Sequence, residues 1–268
     1  EFVRFEELPK TLDYMDAFSK GMERRTKKAP FYSRWIYRWE AKKQKRYEAD
    51  LFKDFDTHTI ITEEDRDFIN HPSRSTINII TNGVDFDYFK PKVKPAKYDI
   101  VFVGNMGYAP NIDAANYLCN DILPLIQKQK ENVTILLAGT SPSKSVLKLQ
   151  STLVTVSGWM EDIREAYADS TLFIAPMRIG TGLQNKILEA MAMNKPCVST
   201  SLASQPIKAS NKSLLVGDTK EELAAICLEL LVNKDKRNTL STSGHLFVKD
   251  SYKWEKTTER LNNLFCSN

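Results

Sequence analysis

The sequence predicts an α/β protein: one complete domain built on a doubly wound parallel sheet, preceded by part of a second domain of the same kind. Three observations carry this. From residue 98 onward, short apolar runs alternate with helical patterns. The runs are nearly continuous rather than alternating, as in strands covered on both faces. A Gly-bearing loop passes from one such run directly into a strong amphipathic helix.

In order, strands are expected at Asp99–Val103, Val133–Ala138, Leu153–Val156, Thr171–Ala175, Cys197–Thr200 and Ser213–Val216. Helical patterns lie near 112–129, 144–150, 161–168 and 183–193, with a further one at 219–233. In such sheets ligands sit beyond the carboxyl ends of the strands. Four loops would converge there, 104–111, 139–143, 157–160 and 176–182, and each contains glycine, which permits close backbone approach.

The first 90 residues offer less. Strands fall at Leu12–Met15, His58–Thr62 and Ile77–Thr81, with one long helix near Phe31–Lys53. Three strands make only part of an α/β half, so the chain is expected to begin inside its first domain. The expected organisation is residues 1–90 as the C-terminal part of that domain, 91–97 as a linker, 98–250 as the complete domain and 251–268 as a terminal helix. Pro91, Pro95 and nearby lysines mark the linker. An opened parallel sheet exposes a strand edge and apolar faces. That predicts either self-association or a folding-back of helices 31–53 and 252–265.

The run Met177–Ala192 holds most of the chemistry. Its loop, Met177-Arg178-Ile179-Gly180-Thr181-Gly182, opens the helix. At about 100° per residue, Leu183, Ile187, Leu188, Ala190 and Met191 share one side. Gly182, Asn185, Lys186 and Glu189 share the other. Asn194 followed by Lys195-Pro196 stops the helix. A bare helix N-terminus and a lysine suit a phosphate, and a carboxylate one turn further suits a pair of sugar hydroxyls. The same Lys–Glu spacing also describes an ordinary solvated pair worth about 0.2–0.5 kcal/mol.

Composition narrows the class. Hydrophobic content of 42% and charged content of 27% are those of a globular protein. No apolar run approaches the ~20 residues of a membrane helix, and no signal peptide is visible. Cys119, Cys197, Cys227 and Cys266 lack ligand-like spacing and read as reduced thiols, which predicts a cytoplasmic protein, alternatively at the inner face of the membrane. His58, His71 and His245 stand in no catalytic motif, and no cluster has metal spacing. The net charge of +4 is mild, but two basic runs, Arg24–Lys28 and Lys42–Arg46, lie near Trp35, Trp39 and Tyr47. They read as a solvated helix face, with peripheral membrane contact or nucleic acid as alternatives; nucleic acid is not expected.

The stretch Gly180–Val198 resembles the signature of family-4 (group 1) glycosyltransferases, in a subgroup written G-x-G-x-x-x-K-x-x-E-A-M-A. Four further blocks follow the family order. They are Asn82–Asp85 with Tyr88–Pro91, Val103–Met106 with Pro110–Ala114, Ser157–Arg164, and Ser251–Glu255. The resemblance implies a GT-B-type architecture of two Rossmann-like domains, N-terminally truncated here. It also implies a retaining, metal-independent hexosyl-type transfer from a nucleotide-diphosphate sugar to a glycan or lipid-linked acceptor, as in polysaccharide biosynthesis. No cofactor is implied beyond the nucleotide sugar, and the isolated chain is expected to be inactive.

By the same resemblance, Glu189 matches the carboxylate that holds the donor ribose. The family's first motif glutamate falls at Thr181, a departure that touches sugar recognition. Loop 104–111 carries no basic residue, so Lys186 and Arg178 become the cations for the diphosphate, with Arg178 alternatively structural. Gly182, Leu183, Gly104, Asn105, Trp159 and Met160 complete the expected donor site, with Tyr108 beside Asn105 in the same loop and Trp159 alternatively an anchor for its own helix. Asp162 reads as a helix N-terminal residue. A second class stays open: a nucleotide-sugar binding module without transferase activity.

Overall fold

In a computed structural model of the chain, residues 3–180 and 182–266 are described. Thr181 therefore lies outside the described residues. The chain divides into two compact units.

The first unit holds the residues up to Asn82, the loop around Gly180 and Gly182, and the chain from Thr257 onward. Its sheet is three parallel strands in the order β1 (Thr11–Asp13), β2 (Thr57–Ile60), β3 (Asn78–Ile79). Between β1 and β2 run α1 (Phe18–Lys28) and α2 (Arg34–Leu51), and α3 (Glu63–Phe68) follows β2. The sequence showed α2 but not α1, whose FSKGMERRTKK carries a glycine and few apolar residues. Burial of Ser19 and Thr26 holds α1 in place, beside a core of Tyr14, Ala17, Ile60, Ile69 and Ile77 against which Leu12, Phe52 and Phe68 pack. Glu48 of α2 is buried and accepts from both the backbone N–H (2.9 Å) and the hydroxyl (2.6 Å) of Ser19. Tyr14 donates to the Glu48 carbonyl at 2.9 Å, so three bonds fix the inner face of α2. His58, which stands in no catalytic motif, is a buried ring stacked 3.9 Å from Phe52, with its Nε2 unpartnered. Burial pushes its pKa down, favouring the neutral ring.

The second unit spans residues 83–178 and 184–256. Its strands are β4 (Tyr98–Val103), β5 (Ile135–Ala138), β6 (Val154–Gly158), β7 (Ser170–Ala175), β8 (Cys197–Ser199) and β9 (Leu215–Val216). They pair in parallel in the order β6-β5-β4-β7-β8-β9, the doubly wound arrangement with a switch point between β4 and β7. The central strands are apolar on both faces; Ile100, Val101, Phe102, Leu172, Phe173 and Ile174 are fully buried. The helices are α4 (Ala109–Tyr117), α5 (Leu123–Gln127), α6 (Lys144–Leu147), α7 (Arg164–Ala168), α8 (Asn185–Ala192), α9 (Ser201–Ser204), α10 (Lys220–Val232) and α11 (Lys234–Ser251). A last helix, α12 (Trp254–Cys266), begins in this unit and continues into the first.

The whole of α11 was hidden in the sequence. Its interior glycine reads as a breaker, yet a Cβ at Gly244 would stand 2.9 Å from the Ser213 carbonyl and 3.4 Å from Met191 Cγ. The glycine is there for close helix approach. Asn233 starts the helix by accepting the Lys236 N–H, while Arg237 closes α10 on the carbonyls of Leu230 and Leu231. The segment before β4, read as a linker, is fastened to this unit. Lys92 reaches Asp162 and Glu165, and Lys97 reaches Asp169.

Candidate functional site

The site is built where β4 ends. Gly104 takes the first step off the strand, its N–H bonded to the Ala138 carbonyl, and Met106 N–H bonds to Thr140, so the loops after β4 and β5 are tied together. Gly139 has φ +134, and a Cβ there would fall 1.9 Å from the Gly104 carbonyl oxygen; only glycine permits this approach. A Cβ on Gly104 would stand 2.7 Å from Asn111 Nδ2 and 3.1 Å from Lys186 Nζ. The bare backbone at Gly104 thus makes room for a lysine arriving from α8.

Lys186 lies in the first turn of α8. Its Nζ donates to Asn111 Oδ1 at 2.5 Å and stands 5.0 Å from the centre of the Phe102 ring. Asn111 is itself buried and oriented, since its Nδ2 donates to the Asn105 carbonyl at 2.9 Å. Burial pushes the Lys186 ammonium down to about 8, with Glu189 partly opposing the shift. One turn on, Glu189 accepts from the Tyr167 hydroxyl at 2.7 Å. Burial raises its carboxyl above the usual range, against the pull of Tyr167 and Lys186. Lys186 and Glu189 offset each other only in part: each feels the other's charge, but the hydrogen-bond partner of one is a neutral amide and of the other a phenol. The result is a half-buried cation and a half-buried carboxylate at the carboxyl end of a parallel sheet, each short of charge partners.

Chemically, the cation suits an anion that also meets the N-terminal backbone of α8. The carboxylate is an acceptor for hydroxyls. Among the described residues no group of three or more His, Cys, Asp or Glu is arranged to hold a metal ion.

The other expected site residues are placed variously. Gly104 and Asn105 sit at the site, but Asn105 turns its amide oxygen to its own loop, accepting the Gly107 N–H at 2.9 Å. Arg178 is held by Asp113 through two bonds of 3.0 and 2.7 Å and lies 4.0 Å above the Tyr117 ring, so its guanidinium is committed to α4. Trp159 is exposed and Met160 half-buried in the loop after β6. Gly182 and Leu183 cluster with the first unit; Gly182 has φ +74, and a Cβ there would stand 2.0 Å from Asp16 Oδ1. Tyr108 is exposed. Asp162 accepts the Arg164 backbone N–H at 2.9 Å and pairs with the Arg164 side chain. The sequence reading gave no role to Asn111 or Tyr167. Asn111 stood inside a quoted block and was the available signal; Tyr167 had none.

A family model described as "Glycosyl transferases group 1" matches residues 97–233, just over half of the sequence. The chain belongs to the group 1 glycosyltransferases. It also resembles an uncharacterized 44.6 kDa protein in the cps region of Klebsiella pneumoniae, at 24% identity over 187 residues. That match covers 62% of this chain and 47% of the relative. Among solved structures, TarM gives a TM-score of 0.71 at 18% identity, covering 83% of this chain and 46% of that one. HepE from Anabaena, in complex with UDP and glucose, gives 0.71 at 14%, covering 84% and 67%. A sucrose-phosphate synthase from Thermosynechococcus elongatus gives 0.69 at 15%, covering 84% and 61%. The chain spans about half the length of the Klebsiella relative and of TarM. The structural likeness shows a GT-B fold.

Proposed function

We propose that this chain binds the nucleotide-diphosphate sugar of a retaining glycosyltransferase, with the diphosphate at the N-terminus of α8 and the ribose diol on Glu189. The observation that carries the reading is Lys186, a half-buried ammonium with no carboxylate bonded to it, at the mouth of the β4 loop. A diphosphate there supplies the missing counter-charge, and electrostatic stabilisation of developing charge is the main service such a site renders. In the transfer, the bond from the anomeric carbon to the diphosphate oxygen breaks and its electron pair leaves with the diphosphate. The acceptor oxygen bonds the same face of the sugar and its proton passes to the departing diphosphate. Lys186 and the α8 backbone hold the growing negative charge, so neither a metal ion nor a cofactor is required.

HepE and a TarM variant from S. aureus were solved in complex with UDP, which makes uridine diphosphate the first nucleotide to test. The cps-region relative points to a glycan or lipid-linked acceptor in polysaccharide assembly. The proposed address is the cytoplasm. No helix of the described residues is long and apolar enough to cross a membrane.

Calorimetric titration with uridine, guanosine, adenosine and thymidine diphosphates, with and without a chelator, tests the reading. One nucleotide should bind regardless of chelator, and Glu189→Ala should weaken it about ten- to hundredfold, the worth of a charged hydrogen bond. Binding strictly dependent on magnesium or manganese, or untouched by Glu189→Ala, would falsify the assignment.

A further inference from the structure

The first unit carries a surface that the donor site does not use. Five large apolar side chains within nine residues stand in solvent: Phe31, Tyr32, Trp35, Ile36 and Trp39, with Phe31 84% and Trp35 68% exposed. An apolar cluster of this density is abnormal on a free surface. It sits in the most basic stretch of the protein. Between Lys20 and Arg46 the sequence has eleven cationic and two acidic residues, a surplus of nine in a chain whose net charge is +4, so the remainder is acidic.

The two properties share one face. At 100° per residue, Trp35, Trp39, Lys42, Lys43 and Arg46 fall within about a 100° arc of α2. All five are exposed. The opposite side holds the buried Ala41, Glu48 and Leu51, and the Glu48 bonds to Ser19 fix which way α2 faces. Lys43 lies 5.0 Å from the Trp39 ring centre, so cation and aromatic lie together. Beside this face, a groove of about 420 Å³ between α1 and α2 is lined by Lys27, Arg38, Lys42 and Lys45, with Thr26 and a single acid, Glu23.

We infer that the outer face of α2 and the turn before it dock on an anionic lipid bilayer, with the α1–α2 groove taking a phosphate headgroup. Tryptophan and tyrosine favour the headgroup level, and lysine and arginine stems lie along apolar surface while their charges reach phosphate. A nucleic acid would use the cations but gives Phe31 and Ile36 no apolar phase. A second copy of the chain would bring the same surplus of positive charge against itself.

The test is co-sedimentation of the full chain with vesicles of phosphatidylcholine alone and of phosphatidylcholine mixed equally with phosphatidylglycerol. Tryptophan emission is read in parallel with brominated lipid as quencher. Binding should appear only with the anionic vesicles, weaken with salt and quench the tryptophans. Inorganic phosphate at millimolar concentration should not displace the chain, which separates a lipid headgroup from a free anion. Trp35→Ser with Trp39→Ser, and separately Lys42→Glu with Lys43→Glu, should each weaken vesicle binding about tenfold or more while nucleotide affinity and melting temperature hold. Equal binding to neutral vesicles, loss of binding in phosphate, or indifference to both double variants overturns the inference. So does a dimer in solution scattering that the tryptophan variants abolish, since the face would then belong to a second copy.

Discussion

Two clusters of lysines and carboxylates lie in the second unit, and their chemistry runs in opposite directions. Along the segment before β4, Lys92, Lys94 and Lys97 interleave with Asp162, Glu165 and Asp169. Donating hydrogen bonds to Glu165 and Asp162 raises the Lys92 ammonium, and accepting them from Lys92 and Lys94 lowers the Glu165 carboxyl. Arg164 and Lys92 hold Asp162 well below the usual carboxylate range. Lys92, Lys94, Asp162, Glu165 and Asp169 are thus stabilised as charges. At α8 the same residue types are destabilised as charges: Lys186 is pushed down and Glu189 up, both first by burial. The difference teaches where a ligand belongs. A saturated network has nothing left to offer an anion, whereas the α8 pair, only partly compensated by each other, is the place where the proposed ligand would add the most.

The sharpest way to break this comparison is Lys186→Ala. Removing a charge-assisted bond to a diphosphate costs about 1.5–3 kcal/mol, so affinity should fall roughly ten- to hundredfold or somewhat more. Because the ammonium is poorly compensated in the free protein, the melting temperature should hold or rise. Calorimetry and thermal melts on the same sample check both halves. A large loss of stability with unchanged affinity would make Lys186 a residue that holds the fold and not one that holds the nucleotide.

Asp16 extends the comparison to the first unit. It follows β1, and burial together with Asp65 and Asp13 raises its carboxyl to about 6. The sign follows from proton binding. Between about 4 and 6 the folded state holds a proton that the unfolded state has released, so stability falls as pH rises through that window. Asp16→Asn removes the penalty and should stabilise the chain by about 2 kcal/mol at pH 7, fading toward nothing below pH 4. Denaturant titrations across that range measure it. A variant less stable than the parent at pH 7 would mean that the ionised carboxylate is favourably held.

Titrating the donor site itself gives the next effect in size. With Lys186 at about 8 in the free protein, the ammonium proposed to meet the diphosphate is lost above that pH. Nucleotide affinity should therefore decline by up to about tenfold per pH unit above 8, since the diphosphate is already ionised there. Lys186→Ala should bind weakly and without this slope. A parallel decline in the variant would assign the titration to another group.

Much of this was legible in the sequence, for reasons that differ by element. The strands were readable because buried parallel strands are apolar throughout, and β4 to β9 each fall on an expected run. The polar line on α8 was readable because Lys186 and Glu189 are three apart on a helix whose other side is wholly apolar. The partners of that line were not. Asn111 and Tyr167 lie far from Lys186 and Glu189 in sequence, and only the packing of α4, α7 and α8 around β4 and β7 brings them together. Arg178 shows the converse. Its position beside the glycine loop suggested a phosphate, but a bidentate bond to Asp113 depends on a helix 65 residues away. Helices α1 and α11 were missed because tertiary burial, not local propensity, forms them.

The smallest expected effect lies in the saturated network, and it tests the other half of the comparison. Lys94 pairs with Asp169 at 2.6 Å and with Glu165, yet neither carboxylate depends on it. Asp169 keeps Lys97 at 3.1 Å, and Glu165 keeps Lys92 at 2.5 Å. The lysine side chain is 28% exposed, and partly exposed ion pairs are typically worth up to about 1 kcal/mol. Lys94→Met removes one charge from a redundant set and retains the apolar stem. It should therefore lower the melting temperature by no more than about 2–4 °C, an effect that shrinks with added salt. Nucleotide affinity should not change at all. If affinity falls with Lys94, the network and the donor site are coupled through α7, whose Tyr167 holds Glu189, and the two clusters would have to be treated as one.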